Sequence, residues 1–222
     1  MALSLASLAV LVATGLLAMA LSRRPRWATA AGSAGAVAGC ALGLVPALAA
    51  LSGREWQARW PWTPPYGDLV IGIDRLSAFF LVPLFALAAV AALYGRAYLL
   101  IGNRRPLGPP ALFFNLLVAS MALIALARDA IVLLVGWEGL GLTSFLLVSF
   151  EHEKAEVRRA GWIYLVSSQL SAVLFIAFLV LLIGQAGGSD FAAFRRMVPP
   201  GPWRAAWLAA LAVVGCGVKA GR

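Results

Sequence analysis

Long runs of apolar residues, separated by short charged or proline-bearing stretches, recur along almost the whole chain. Most runs approach the roughly 20 apolar residues that a helix needs to cross a bilayer core about 30 Å thick. They are continuous rather than alternating, and the strands of a membrane barrel are about half as long. The pattern predicts an all-α, polytopic transmembrane bundle of about six complete helices and an incomplete seventh, as one membrane domain over residues 1–222. The predicted spans are residues 2–22, 27–51, 76–100, 111–127, 130–150, 160–184 and 205–222.

Composition supports this class. The chain has 222 residues, 62% of them apolar and 12% charged, and its mean hydropathy is +0.90. Soluble domains are about half apolar and about a quarter charged. A net charge of +9 would suggest a nucleic-acid partner in a soluble protein. Here the basic residues lie between apolar runs, where topology signals occur, so we expect a lipid bilayer around the chain and no nucleic acid.

The connections carry the topology signals. Residues 52–75 form the longest of the early connections, and their tryptophans and prolines are typical of a loop at the membrane interface. Loops after the first, third and fifth runs carry nine lysines and arginines, against seven in the others. By the positive-inside rule, this difference favours an N-terminus outside the cell.

Two ionisable residues lie inside apolar runs. Glu138 is the ninth residue of the fifth run, about 12–14 Å deep at about 1.5 Å per residue, and Lys219 lies at a similar depth in the seventh. A charge at the bilayer centre costs about 2.5–3.5 kcal/mol on insertion scales. The attraction to an opposite charge about 4 Å away is about 4 kcal/mol at an effective dielectric constant near 20. The two residues are therefore candidates for an ion pair that holds and transfers protons.

Each candidate also has a structural interpretation. Glu138 could be a neutral, hydrogen-bonded carboxylic acid, and Lys219 could extend its ammonium group to the interface. The polar run Ser167, Ser168, Gln169 and Ser171 could line a hydrated path or make interhelical hydrogen bonds.

The sequence offers little enzymatic chemistry of its own. It contains no nucleophile–base arrangement, no phosphate-binding loop and no metal-spaced cluster of cysteine and histidine residues. We therefore expect no catalytic residue, metal site or cofactor in this chain. Flavin, iron–sulfur or nicotinamide sites would belong to other subunits.

Three segments resemble the proton-pumping, antiporter-like subunits of respiratory complex I, cation/proton antiporters and membrane-bound hydrogenases. Residues 131–138 (IVLLVGWE) are similar to the fifth-helix signature of that family. Residues 74–80 (DRLSAFF) resemble the entry to its third helix, and residues 217–221 (GVKAG) resemble its seventh-helix lysine motif. Within the family, residues 150–154 (FEHEK) and 158–161 (RRAG) look most like hydrogenase-4 component B and formate hydrogenlyase subunit 3.

The resemblance implies that Glu138 and Lys219 are the glutamate and lysine of the first proton half-channel. It implies partner membrane subunits in a bacterial cytoplasmic-membrane complex, with iron–sulfur, NiFe or flavin centres on those partners. Family members continue through a second inverted half, so we expect this chain to be an N-terminal fragment. Two alternatives remain open: a subunit of a cation/proton antiporter without redox partners, and a truncated membrane scaffold that does not pump.

Overall fold

The computed structural model describes residues 1–61, 68–101 and 106–220. Within them, six helices are long and apolar enough to cross a membrane, which confirms the predicted polytopic bundle. The six are α1 (Ala2–Ala20), α2 (Pro25–Leu51), α3 (Arg75–Leu100), α4 (Gly108–Leu126), α5 (Ala130–Val148) and α6 (Ala155–Ala186). They are followed by α7 (Phe191–Arg196) and α8 (Pro202–Ala220).

Most helices start and end within a few residues of the predicted spans. The largest difference is in α6, which begins at Ala155, so Glu156, Arg158 and Arg159 lie in its first turns rather than in a loop. α4 also starts early, at Gly108 followed by two prolines, because proline is tolerated in the first turn of a helix. α8 covers the described part of the predicted seventh run, whose residues 221–222 lie outside the described residues.

The expectation that residues 52–75 form a loop was wrong for the described part of that segment. Strands β1 (Trp56–Pro61) and β2 (Asp68–Ile73) form a two-stranded sheet. β2 is rich in β-branched residues, which favour extended backbone. A side chain at Gly72 would place its Cβ 2.8 Å from the Trp56 carbonyl oxygen, so close approach of the backbones requires glycine there. Residues 62–67, including Trp62, Pro64 and Pro65 of the predicted loop, lie outside the described residues.

The chain forms two compact units, and the first comprises residues 1–58 and 72–126. In it, α2 packs against α1, α3 and α4. Glycines along α2 allow this: an added Cβ at Gly35 would lie 2.0 Å from Thr14 Oγ1, and one at Gly39 would lie 2.7 Å from Leu11 Cγ. α3 begins at a side-chain cap, because the Asp74 carboxylate accepts a hydrogen bond from the Ser77 amide at 2.8 Å.

The second unit comprises residues 59–71 and 127–222. Here α6 packs against α5, α7 and α8. Its buried apolar cluster includes Ala130 from α5 with Phe175 and Leu179 from α6, and Phe194 from α7 packs against that cluster. This unit contains both Glu138 and Lys219. The assignment of residues 1–222 to a single domain stays a prediction.

Candidate functional site

The start of α5 is held by a buried carboxylate. Asp129 has no solvent-exposed surface, and its carboxylate accepts hydrogen bonds from the amides of Ile131 at 2.7 Å and Val132 at 3.3 Å. The hydroxyl of Ser189 donates to the same carboxylate. Because these bonds satisfy amides of the first helical turn, α5 starts at a defined position. Glu138 is therefore the ninth residue of the helix, as predicted.

The Lys219 side chain reaches from α8 to the middle of α5. Its Nζ donates a hydrogen bond to the backbone carbonyl oxygen of Trp137 at 3.0 Å. The same Nζ lies 4.6 Å from the centroid of the Trp137 ring, which is within cation–π distance. Lys219 and Trp137, which are 82 positions apart in the chain, are thus in contact, and Trp137 is the residue next to Glu138. Glu138 is itself half-buried. The ion pair between Lys219 and Glu138 stays a prediction.

A glycine on α5 provides room for this contact. An added Cβ at Gly141 would lie 3.3 Å from Lys219 Nζ and 2.8 Å from the hydroxyl oxygen of Ser168 on α6. In an α-helix the carbonyl of residue 137 accepts the amide of residue 141, so Gly141 lies directly over that carbonyl. Glycine here leaves the oxygen's second lone pair accessible to the lysine.

The Trp137 ring is fixed by other aromatic rings. It stacks on Phe175 of α6 with a centroid separation of 4.5 Å and an interplanar angle of 24°. Phe175 in turn stacks on Phe178 at 6.0 Å. The Trp137 indole nitrogen is buried and has no hydrogen-bond partner among the described residues. Stacking, rather than a hydrogen bond from the indole, therefore sets the orientation of the ring face.

The four polar residues of the run on α6 lie on different faces of the helix, some buried and others not. Ser168 and Ser171 are buried, and the Ser171 hydroxyl donates to the carbonyl oxygen of Gly215 on α8 at 2.5 Å. The Ser167 hydroxyl donates to the Ile163 carbonyl within its own helix at 2.6 Å. Gln169 is exposed on the surface of α6. Two of the four predicted residues thus lie near Lys219, and their role in a hydrated path stays a prediction.

Sequence reasoning did not assign a role to Trp137. One signal was visible: among the eight tryptophans, Trp137 alone lies deep inside an apolar run rather than near an end or in a loop. Tryptophans elsewhere in the chain follow the usual preference for the membrane interface. A tryptophan deep inside an apolar run, beside an intramembrane glutamate, was therefore a departure from the pattern.

A separate charge cluster lies outside the predicted spans. The Arg59 guanidinium contacts the carboxylate of Asp68 at 3.0 Å and that of Asp190 at 2.9 Å. Partial burial opposes ionisation of Asp190. The hydrogen bond from the Ala193 amide and the Arg59 guanidinium outweigh it, so the pKa of Asp190 is lowered. The two carboxylates raise the pKa of Arg59, and α7 begins at a charged, hydrogen-bonded cap.

Comparison with known proteins shows which proteins this chain is similar to. Residues 127–222, which include α5, α6 and α8, match the family model described as "NADH:quinone oxidoreductase/Mrp antiporter, TM". An uncharacterized protein of Mycobacterium tuberculosis is 34% identical over 197 residues, covering 87% of this chain and 30% of the relative. Hydrogenase-4 component B of Escherichia coli is 31% identical over 163 residues, covering 72% of this chain and 24% of the relative.

A solved structure shows the same fold. The Mrp complex from Dietzia sp. DQ12-45-1b matches with a TM-score of 0.79 and 22% identity, covering 99% of this chain and 24% of the matched chain. The chain spans less than a third of the length of these relatives. The family match and the common fold agree with the resemblance of the three sequence motifs. The chain therefore belongs to the family of antiporter-like membrane subunits that NADH:quinone oxidoreductases and Mrp antiporters share.

Proposed function

We propose that this chain is part of a proton-translocating membrane subunit of a redox-driven complex of the hydrogenase-4 or NADH-quinone oxidoreductase type. It would lie in a bacterial cytoplasmic membrane with its N-terminus outside and bind other membrane subunits. Iron–sulfur, NiFe or flavin centres would belong to those partners. Membership of the family supports the general function, and the similarity to hydrogenase-4 component B supports the choice of complex.

One observation supports assigning the proton transfer to particular residues. The Lys219 ammonium group contacts the backbone of Trp137, the residue next to Glu138 on α5. Lysine and glutamate in membrane helices are costly and usually functional, and each lowers the cost of the other when they are close. The flexible lysine side chain would pair with the Glu138 carboxylate during part of the transport cycle.

Proton transfer would follow from the separation of these two groups. When the ammonium group lies about 4 Å from the carboxylate, their attraction is about 4 kcal/mol at an effective dielectric constant near 20. That attraction stabilises the protonated lysine. When they separate, the attraction is lost, and releasing the proton relieves the cost of a charge in the membrane. Redox energy from partner subunits would drive the change in separation.

Two serines support a polar route to the lysine. Ser168 lies beside the position that a Gly141 side chain would occupy, where Lys219 Nζ also lies. Ser171 is on the same helix, one turn further along, and both are buried. Hydroxyl groups both donate and accept hydrogen bonds, so they suit a chain of ordered water molecules. Ser167 and Gln169, the other members of the predicted path, lie on other faces of α6.

A second candidate function is a cation/proton antiporter subunit without redox partners. The description of the matched family model names Mrp antiporters as well as NADH:quinone oxidoreductase. Genes for hydrogenase or dehydrogenase subunits beside this one would favour the redox complex. Proton uptake driven by an imposed sodium gradient, without an electron donor, would favour the antiporter.

The test uses inverted membrane vesicles that contain the complete complex, with acidification followed by a pH-sensitive dye after the electron donor is added. We expect Glu138→Gln and Lys219→Met each to reduce proton pumping about a hundredfold or more, as for loss of a proton-transfer group. Electron-transfer activity and the amount of assembled complex are measured in the same vesicles.

Matched controls come from the start of α6, where Lys154 is the N-cap residue and Glu156 lies in the first turn. Glu156→Gln and Lys154→Met make the same chemical changes at exposed positions, and we expect both to pump at the parental rate. Normal pumping in Glu138→Gln and Lys219→Met would contradict the proposal. The scaffold alternative would then account for the chain.

A further inference from the structure

A groove of about 640 Å³ lies between the end of α6 and the start of α8, within the second unit. Its walls are mainly apolar and include Leu181 of α6 and the buried Leu208 of α8. Gly184 keeps the groove open, since no atom of the described residues lies within 4 Å of an added Cβ there. Small-molecule sites have volumes of roughly 300–1,000 Å³. The groove therefore has room for a largely apolar ligand.

Two tryptophans form one side of the groove. Trp203 and Trp207 are one turn apart on α8, and their rings meet edge to face with centroids 5.8 Å apart. They are 73% and 55% exposed. Tryptophan favours the level of the lipid headgroups, because its ring is apolar and its indole N–H is polar. The rings therefore indicate that this end of the groove lies at the membrane interface.

The same end of the groove is polar and basic. Arg204 and Gln185 line it. The Gln185 side-chain amide donates a hydrogen bond to the Val198 carbonyl oxygen at 3.3 Å, which attaches the connection before α8 to the end of α6. The chain after Asp190 contains basic residues and no aspartate or glutamate. An arginine guanidinium can donate two parallel hydrogen bonds to one phosphate group. The charge at this end thus complements a phosphate.

We propose that the groove binds one anionic phospholipid, with its phosphate on Arg204 and the first part of an acyl chain along Leu181 and Leu208. A basic pocket between membrane helices can select a headgroup, which a convex apolar helix face cannot do. Here the apolar walls and the arginine recognise different parts of the same lipid. The proposal is independent of proton transfer by Glu138 and Lys219, so either can fail without the other.

The test uses the complete complex in detergent micelles with phosphatidylglycerol that carries a photoreactive diazirine near the start of one acyl chain. After illumination, mass spectrometry identifies the labelled peptides over a titration of the lipid. We expect label on residues 180–185 and 203–208. In Arg204→Gln the half-saturating amount of lipid should rise about fivefold, as for loss of one basic residue at the headgroups. Arg54→Gln, at another exposed arginine, is the control and should leave the titration unchanged.

A second variant fills the groove. In Gly184→Leu the new side chain would occupy the open space beside α6 without a clash at its Cβ. We expect the half-saturating amount of lipid to rise about tenfold, because the acyl chain loses the contacts of about two methylene groups. Gly95→Leu on α3 is the control, since an added Cβ there also meets nothing within 4 Å. The amount of assembled complex is measured for every variant.

Two further arms identify the ligand. Phosphatidylcholine with the same diazirine should label the groove weakly, and millimolar inorganic phosphate should not displace phosphatidylglycerol. Equal labelling by both lipids, or displacement by inorganic phosphate, would contradict recognition of an anionic lipid. Absence of label from residues 180–185 and 203–208 would mean that something other than lipid covers the groove in the complex. That result, or unchanged titrations in both Arg204→Gln and Gly184→Leu, would overturn the proposal.

Discussion

Ser171 on α6 donates a hydrogen bond to the backbone carbonyl oxygen of Gly215 on α8, with an oxygen–oxygen distance of 2.5 Å. The bond is buried, and Gly215 allows close approach, since a Cβ there would lie 3.2 Å from the Phe175 amide nitrogen. Lys219 follows one turn later on the same face of α8. A hydroxyl on one helix thus helps to fix where the lysine of another helix reaches α5.

Removing this hydroxyl should loosen α8. We expect Ser171→Ala to lower the free energy of unfolding by about 1 kcal/mol, since the Gly215 carbonyl oxygen loses a buried hydrogen bond. Thermal unfolding of the full-length protein in detergent measures the change. Ser167→Ala is the control, because the Ser167 hydroxyl bonds within its own helix. An equal loss of stability in both variants would show that the α6–α8 bond has no special effect.

The cap of α5 should be sensitive to loss of its carboxylate. Asp129→Ala removes the acceptor for two backbone amides and the Ser189 hydroxyl, and the Asp129 side chain is fully buried. We expect a loss of about 2 kcal/mol or more in the free energy of unfolding. Asp129→Asn keeps one acceptor oxygen and should lose less. Chemical denaturation in detergent distinguishes the variants, and equal stability of all three proteins would contradict the role of the cap.

Acidification should weaken the contact between Arg59 and Asp190. Because the folded-state pKa of Asp190 is lowered, its stabilising effect is present above the unfolded-state value of about 3.9. The effect is lost as the pH falls through the lowered, folded-state value. The contribution is below about 1 kcal/mol, since the Arg59 side chain is 48% exposed. Amide hydrogen exchange in α7, corrected for its intrinsic dependence on pH, should be faster at acidic pH.

Asp190→Asn provides the comparison for that experiment. It removes the titrating group, so hydrogen exchange in α7 should be faster at neutral pH and depend less on pH. The neighbouring Asp68 also contacts Arg59, and Asp68→Asn tests whether the remaining carboxylate is sufficient. A steep acid dependence that survives in Asp190→Asn would assign the effect to another group.

Close packing of α2 against α1 should fail if a side chain is added at the contact. In Gly35→Ala the new Cβ would lie 2.0 Å from Thr14 Oγ1 and 2.1 Å from its Cβ, which requires the helices to move apart. We expect a loss of about 1–3 kcal/mol in the free energy of unfolding. Gly95→Ala in α3 is the control, because nothing lies within 4 Å of its added Cβ. Its stability should be equal or slightly higher.

The helical part of the fold could be predicted because the bilayer sets a length scale that a run of apolar residues directly shows. The small sheet was missed because tryptophans and prolines in residues 52–75 suggested an interfacial loop, while the β-branched pattern of β2 covers only six residues. Short strands depend on pairing with a partner that periodicity alone does not show.

The candidate site was predicted in part. Glu138 and Lys219 were visible because a charge inside an apolar run is costly wherever the helices pack. Trp137 and Phe175 are apolar residues in apolar runs, so composition could not distinguish them from ordinary packing residues. Their roles appear once α5, α6 and α8 are placed together and distances are measured.

The sequence by itself determined that the chain is a multi-pass membrane protein, approximately where each helix runs, and which two charges lie among apolar residues. Hydrophobic burial in lipid depends on local composition, so a linear sequence is sufficient for these conclusions. Tertiary structure decided which atoms the Lys219 ammonium group contacts, because residues 82 positions apart meet only through helix packing. It likewise decided that Ser168 and Ser171, rather than Gln169, are buried, since that depends on which face of α6 meets its neighbours.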